Sequence, residues 1–128
     1  AIRILVYLAV KKDEVVSVTE LSEKLEISYK YIGRLMLKLA ENGFVQATHG
    51  KKGGYKIIND LKNIFLSQII DAVEGFESYY QCILGFEKCG DENPCPLHKH
   101  WGEHREKLRK MWESLSLDKI VSEMDSKL

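Results

Sequence analysis

No cysteine occurs before Cys82 or after Cys95, and the only two prolines, Pro94 and Pro96, lie at the end of that same stretch. Three is an odd number of cysteines, which argues against the self-contained disulfide framework of small secreted domains. Long apolar runs are absent: nothing approaches the roughly 20 residues needed to cross a bilayer, so no membrane association is expected. No basic region followed by an apolar run and a cleavage site is visible, so no secretory leader is expected. Net charge is missing too, with 19 basic against 19 acidic residues. A neutral total neither supports nor excludes contact with phosphates, because only a local basic surface matters there. The remaining composition looks intracellular, where thiols stay reduced, and a cytoplasmic location is expected. The chain opens inside a helical pattern at Ala1, not on methionine, so an upstream segment is expected.

What is present suffices for one ordinary domain with a real core: 128 residues, 45% of them apolar. Residues 2–9 read as a helix with Ile2, Leu5, Val6 and Ala9 on one face. Residues 11–16 form a charged connector. Ser17 or Val18 then leads into a short helix over 19–25, with Leu21 and Leu25 one turn apart and Glu20 placed to suit the helix dipole. After a break at residues 26–28, Ser28 is a good N-cap for a helix over 29–42. Its buried stripe is Ile32, Leu35, Met36 and Leu39, and Gly43 ends it. A short helix, a three-residue break and a longer, better-patterned helix form the helix-turn-helix signature.

The next segment strengthens that reading. Short strands at 44–48 and 55–58 flank His49-Gly50-Lys51-Lys52-Gly53-Gly54. Glycines permit the tight turn and two lysines occupy its tip. Such a hairpin is a wing whose basic tip can reach the DNA backbone or minor groove; the plainer alternative is a solvated turn. Candidate DNA contacts are Ser28 at the start of the second helix and His49, Lys51 and Lys52 in the wing.

Residues 66–74 read as a helix with Ile69, Ile70 and Val73 apolar, stopped by Gly75. Residues 76–83 carry two exposed-looking tyrosines, Tyr79 and Tyr80. Pro96 suits the start of a long helix over 97–115. Leu97, Trp101, His104, Leu108, Met111, Trp112 and Leu115 mark a stripe along it at spacings of three, four and seven. Trp101, Leu108, Met111, Trp112 and Leu115 are the candidate dimerisation residues, since a partner helix would hide them and supply the two-fold symmetry of palindromic DNA. The alternative is packing within the chain. A short segment follows with Leu117, Ile120 and Val121, and the tail over 122–128 should fray. The organisation is thus a winged helix-turn-helix domain over 1–75, a cysteine-rich loop over 76–96, and a dimerisation helix with a C-terminal tail over 97–128. The fold class is mainly α with a small β-hairpin wing.

The spacing C-x6-C-x5-C at Cys82, Cys89 and Cys95, with His98 three residues later, is set among glycine, proline and acidic residues. That composition is a folded-back loop able to point three thiolates at one centre. Three chemistries compete. An iron–sulfur cluster needs soft, anionic ligands, and three cysteines would leave one position for a weaker donor such as His98. A Cys3His zinc site is the second, although no C-x2-4-C knuckle is present. A bare thiol switch, with Cys89 and Cys95 as the disulfide pair, is the third. His98 could instead be a solvated histidine or a helix cap; of His100 and His104, one should face solvent and the other pack on the helix. An enzyme is not expected: Cys95 with His98 could imitate a nucleophile–base pair, but no substrate pocket is suggested. A protein-interaction module without a cluster remains as a further class.

Five stretches carry a closer resemblance: the helix over 1–9, residues 26–35, Leu39-Ala40-Glu41-Asn42-Gly43-Phe44-Val45, the wing Gly50-Lys51-Lys52-Gly53-Gly54-Tyr55, and Ile69-Ile70-Asp71-Ala72-Val73-Glu74-Gly75. Together with the cysteine triad, Leu97-His98 and Trp101, they resemble the IscR-type iron–sulfur-cluster regulators and their nitric-oxide-sensing NsrR-type relatives, bacterial winged-helix transcription factors. The resemblance spans nearly the whole chain. It implies a homodimer that places one helix in the major groove and the wing in the minor groove of a pseudo-palindromic operator. The resemblance adds Tyr29, Lys30, Tyr31 and Arg34, at the start of that helix, to the candidate DNA contacts. It implies a regulator, expected to repress, that senses redox state, nitric oxide or iron status. By the same resemblance Cys82, Cys89 and Cys95 are the cluster cysteines and His98 the histidine ligand of [2Fe–2S] members; a [4Fe–4S] cluster would draw a further ligand from upstream of Ala1. The chain departs from the pattern in its x6 gap, where x5 is usual. It also has Gly33 where some members carry an acidic side chain that restricts the DNA site.

Overall fold

The structure, a computed structural model, describes residues 1–124. The first helix, α1 (Ile2–Val10), buries Ile4 through Ala9 without interruption. A helix that is apolar all round belongs in the middle of a domain, not on its surface. This corrects the expectation of a single buried stripe. It packs against α2 (Val18–Leu25), against the hairpin, and against the last helix, α7 (Leu117–Glu123).

The Ser17 side chain caps α2 by accepting from the Glu20 N–H. Glu26 then takes a left-handed conformation (φ 55°, ψ 43°) and turns the chain. The Ser28 hydroxyl caps α3 (Tyr29–Glu41), which buries the expected Ile32, Leu35, Met36 and Leu39. Each such side chain contributes about 1.5–3 kcal/mol by leaving water. Gly43 follows at φ +77°, where a side chain would be strained.

Strands β1 (Val45–Thr48) and β2 (Gly54–Ile57) pair antiparallel, with Val45 opposite Ile57 and Thr48 opposite Gly54. A third segment joins them: Val16 and Tyr55 exchange backbone hydrogen bonds, each 2.8 Å long. Val16 is therefore core, 1% exposed, although its neighbours make the connector read as charged. The pairing also accounts for Gly54, where a Cβ would stand 2.2 Å from the Val16 carbonyl oxygen.

A 3-10 turn (Leu61–Asn63) leads to α4 (Leu66–Val73), and a single turn, α5 (Glu77–Tyr80), precedes the cysteine loop. The long helix α6 (His98–Ser114) lies over α4. At its far end residues 64–66 and 115–117 pair, with Leu66 N–H donating to Leu115 O at 3.0 Å and Leu117 N–H to Ile64 O at 2.7 Å. Leu117 is fully buried in the same core as Ile4 and Leu39. Ser122 and Glu123 continue α7 and do not fray as expected; residues 125–128 of the expected tail lie outside the described residues. No described helix is long and apolar enough to cross a membrane.

Candidate nucleic-acid interface and metal centre

The N-terminus of α3 is set by the Ser28 hydroxyl, which accepts from the Tyr31 N–H at 3.2 Å. This cap leaves the first turn facing solvent. Tyr29 is 62% and Tyr31 49% exposed, and Lys30 and Arg34 stand out beside them. The Arg34 guanidinium lies 5.9 Å from the Tyr31 ring centre, so its position is partly held by the ring face. Gly33 has nothing within 4 Å of where a Cβ would be, so this face of α3 is open. In the hairpin tip, Gly50 at φ +107° and the Gly53 N–H to Gly50 O bond of 3.0 Å close the turn. His49, Lys51 and Lys52 are all exposed there. Among the described residues none of Lys30, Arg34, Lys51 and Lys52 is engaged in an ion pair. A neutral chain thus presents unneutralised positive charge at two ends of one helix-and-hairpin unit, the arrangement phosphate contact requires.

The cysteine loop comes together as its spacing suggested. The sulfurs of Cys82, Cys89 and Cys95 all lie within 4.8 Å of one another, with Cys82 and Cys95 at 3.7 Å. His98 in the first turn of α6 brings Nδ1 to 3.4 Å from Cys89 Sγ. The loop path explains this. Gly85 at φ +82° turns the chain, with its N–H donating to Cys82 O, and the Gly90–Asn93 bridge turns it again. The Cys95 N–H points back at Cys89 Sγ, and the His98 N–H is tied to Cys95 O at 3.1 Å.

These spacings suit metal binding. Two thiolates on one tetrahedral metal, each about 2.3 Å away, stand about 3.8 Å apart, and a thiolate–imidazole pair about 3.5 Å apart. Cys82 with Cys95, and Cys89 with His98, fall at such distances. The electrostatics favour a thiolate as well. Desolvation raises the Cys82 thiol, but the backbone N–H groups of Phe86 and Leu84 and the neighbouring thiols outweigh it and bring it down to about 7. Cys89 moves the other way: the Cys95 N–H lowers it, yet desolvation and the other two cysteines together push it up. Of these two, Cys82 is the thiol the surroundings favour as thiolate.

Two residues that pattern reading left aside belong to this centre. Asp91 Oδ1 lies 3.1 Å from His98 Nε2, and a carboxylate there fixes which ring nitrogen is free to bind. Arg105, about two turns further along α6 on the same face, packs its guanidinium 5.1 Å from the Tyr80 ring centre. Of the expected dimerisation residues, none is fully buried within the chain, and Met111 is 45% exposed. Trp112 is engaged internally, its ring 5.0 Å from Tyr79 and 6.4 Å from Phe76. Tyr79 is accordingly half-buried and donates to Glu74 Oε2, which corrects the expectation of two exposed tyrosines. His100 and His104 both face solvent, so neither packs on the helix.

Known proteins resemble this chain in sequence and in fold. A family model named Rrf2, described as an iron-dependent transcriptional regulator, matches residues 1–123. The HTH-type transcriptional regulator IscR of Xenorhabdus nematophila is 30% identical over 110 residues, 86% of this chain and 66% of its own length. IscR of Yersinia pestis is 29% identical over 114 residues, 89% of this chain and 69% of its own. This chain thus spans about two thirds of those relatives. Among solved structures, CymR, the global cysteine regulator of B. subtilis, superposes with a TM-score of 0.75 at 25% identity, over 95% of this chain and 90% of that one. T. potens IscR shares the fold with a TM-score of 0.71 at 19% identity, over 95% of this chain and 84% of that one. The chain belongs to the Rrf2 family of winged-helix, DNA-binding transcriptional regulators.

Proposed function

We propose that the protein is a cytoplasmic, homodimeric repressor whose affinity for a pseudo-palindromic operator is set by an iron–sulfur cluster held by Cys82, Cys89, Cys95 and His98. The observation that carries this reading is the convergence of three thiols and an imidazole at metal-ligand spacings beside a DNA-reading unit. Cys82 with Cys95 and Cys89 with His98 are the two close pairs, and together the four offer the three soft donors and one weaker donor that an iron–sulfur centre takes. When bound, the cluster supplies a redox- and nitric-oxide-sensitive centre, of which the histidine-bearing iron is the more weakly held. The chain's own residues do the rest. Tyr29, Lys30, Tyr31 and Arg34 meet the major groove, while His49, Lys51 and Lys52 reach the phosphates or minor groove. A dimer seam along α6 would use Met111 and the half-exposed flanks of Trp101, Leu108, Trp112 and Leu115.

The loop runs from α5 straight into α6, so tying it down fixes how α6 leaves the winged domain. In a dimer joined through α6 that angle sets the separation of the two α3 helices, and so the fit to adjacent major grooves.

Purification without oxygen tests the cluster. The protein should carry iron and acid-labile sulfide, and Cys82→Ala, Cys89→Ala and Cys95→Ala should each lose both while remaining folded. One zinc and no sulfide would replace the cluster by a zinc-dependent regulator. A thiol-dependent regulator is the second reading. It is favoured by the 3.7 Å approach of Cys82 to Cys95, a different pair from the Cys89–Cys95 disulfide that loop spacing suggests.

A further inference from the structure

Beyond the four ligands, two donors on α6 have no acceptor. The indole Nε1–H of Trp101 and the Nε–H of Arg105 are both buried, and neither meets a hydrogen-bond partner among the described residues. Buried donors left unpaired are rare, and each calls for an explanation. Trp101 and Arg105 lie three and seven residues beyond His98, on the same face of the helix. Both line one cavity of about 50 Å³ with Cys82, Cys89, Cys95 and His98. The Arg105 side chain is held from its other side, by the Tyr80 ring and by the Tyr79 carbonyl at 3.5 Å, so its Nε–H stays in the wall of that cavity.

Neither donor meets a cysteine sulfur as acceptor, and neutral thiols are weak acceptors in any case. Anionic sulfur is a strong one, and a hydrogen bond to it is charge-assisted. We propose that Trp101 and Arg105 are positioning residues for the metal centre: they donate N–H···S hydrogen bonds to anionic sulfur, thiolate or sulfide, and with the Arg105 charge they stabilise the reduced form. The inference rests on the cluster reading above. A core of two ferric ions, two sulfides, three thiolates and a neutral imidazole is already anionic, and taking up one electron from an added reductant makes it more so. Donors and a cation at the sulfurs therefore favour the reduced state and raise the potential.

The test is an anaerobic reductive titration of the dimeric full chain, comparing wild type with Trp101→Phe, Arg105→Gln and Arg105→Lys. Iron and sulfide should remain at the wild-type ratio in all three variants. The one-electron reduction equilibrium of Trp101→Phe and of Arg105→Gln should become about tenfold less favourable, a fall of roughly 59 mV in midpoint potential. Arg105→Lys should fall less, because it keeps the charge without the fixed N–H fork. Resonance Raman gives a second readout. Transfer to D2O should shift the Fe–S stretching bands of wild type, and the shift should shrink in Trp101→Phe. Loaded variants with unchanged potential and unchanged isotope shift would overturn the inference while leaving the cluster in place. Failure of both Trp101→Phe and Arg105→Gln to load would also overturn it, by making the pair part of the loop's fold. Wild-type protein lacking iron and sulfide would instead remove the cluster reading itself.

Discussion

The hydroxyl of Tyr7 donates to Glu20 Oε1 at 2.7 Å and pins α1 to the first turn of α2. Burial, then the hydrogen bond and the charges of Glu20 and Glu14, raise its pKa to about 12. The unfolded chain titrates near 10, so on raising the pH it releases this proton before the folded protein does. The stability Tyr7 supplies is complete below about pH 10 and is lost between about 10 and 12. Tyr7→Phe should cost about 1–3 kcal/mol at neutral pH, and its deficit against wild type should shrink across that window in urea unfolding curves. A deficit that stays constant to pH 12 would mean Tyr7 ionises alike in both states. At this scale some roles were legible from local chemistry: Ser28 as a cap, Gly43 and Gly75 as stops. Val16 and Gly54 were not. Their reason is each other, 38 residues apart in the sequence, and no local pattern reports a partner that distant.

The unit of α3 and its hairpin was readable because each part has its own signal: a capped helix with a clear stripe, then strands around a glycine-rich basic turn. The wing also makes a separable prediction. Lys51→Ala with Lys52→Ala should weaken binding to every DNA sequence alike and, with two lysines lost from each protomer of the proposed dimer, flatten the salt dependence of log affinity by about four, near one unit per lost phosphate contact. A slope equal to that of wild type would take the wing off the DNA. The convergence of the three cysteines was readable in their spacing, but which of them lie closest was not. Which sulfur meets which depends on the turns at Gly85 and at Gly90–Asn93, so the close pair is Cys82 with Cys95. The stripe on α6 was read as a seam to a partner, but spacing cannot say which neighbour covers a face. Trp112 turns out to stack within its own chain, and Met111 remains the outward residue.

In the molecule as a whole, one core runs from α1 through α3 to Leu117, and the strand-like pairing of residues 64–66 with 115–117 anchors the far end of α6 to it. The near end of α6 is held by the cysteine loop and, through Arg105, by α5. The proposed sensor therefore sits where the long helix begins. A dimer through α6 should sediment at micromolar concentration with twice the chain mass, and Met111→Glu should shift it toward monomer. A wild-type monomer would leave the palindromic operator without a structural basis. The account's central claim is that the state of the cysteine centre changes how tightly DNA is held. Its most direct test is the affinity of cluster-loaded and cluster-free protein for an operator fragment at one salt concentration. The two affinities should differ, and by linkage DNA should change cluster retention by the same factor; equal affinities would contradict the switch.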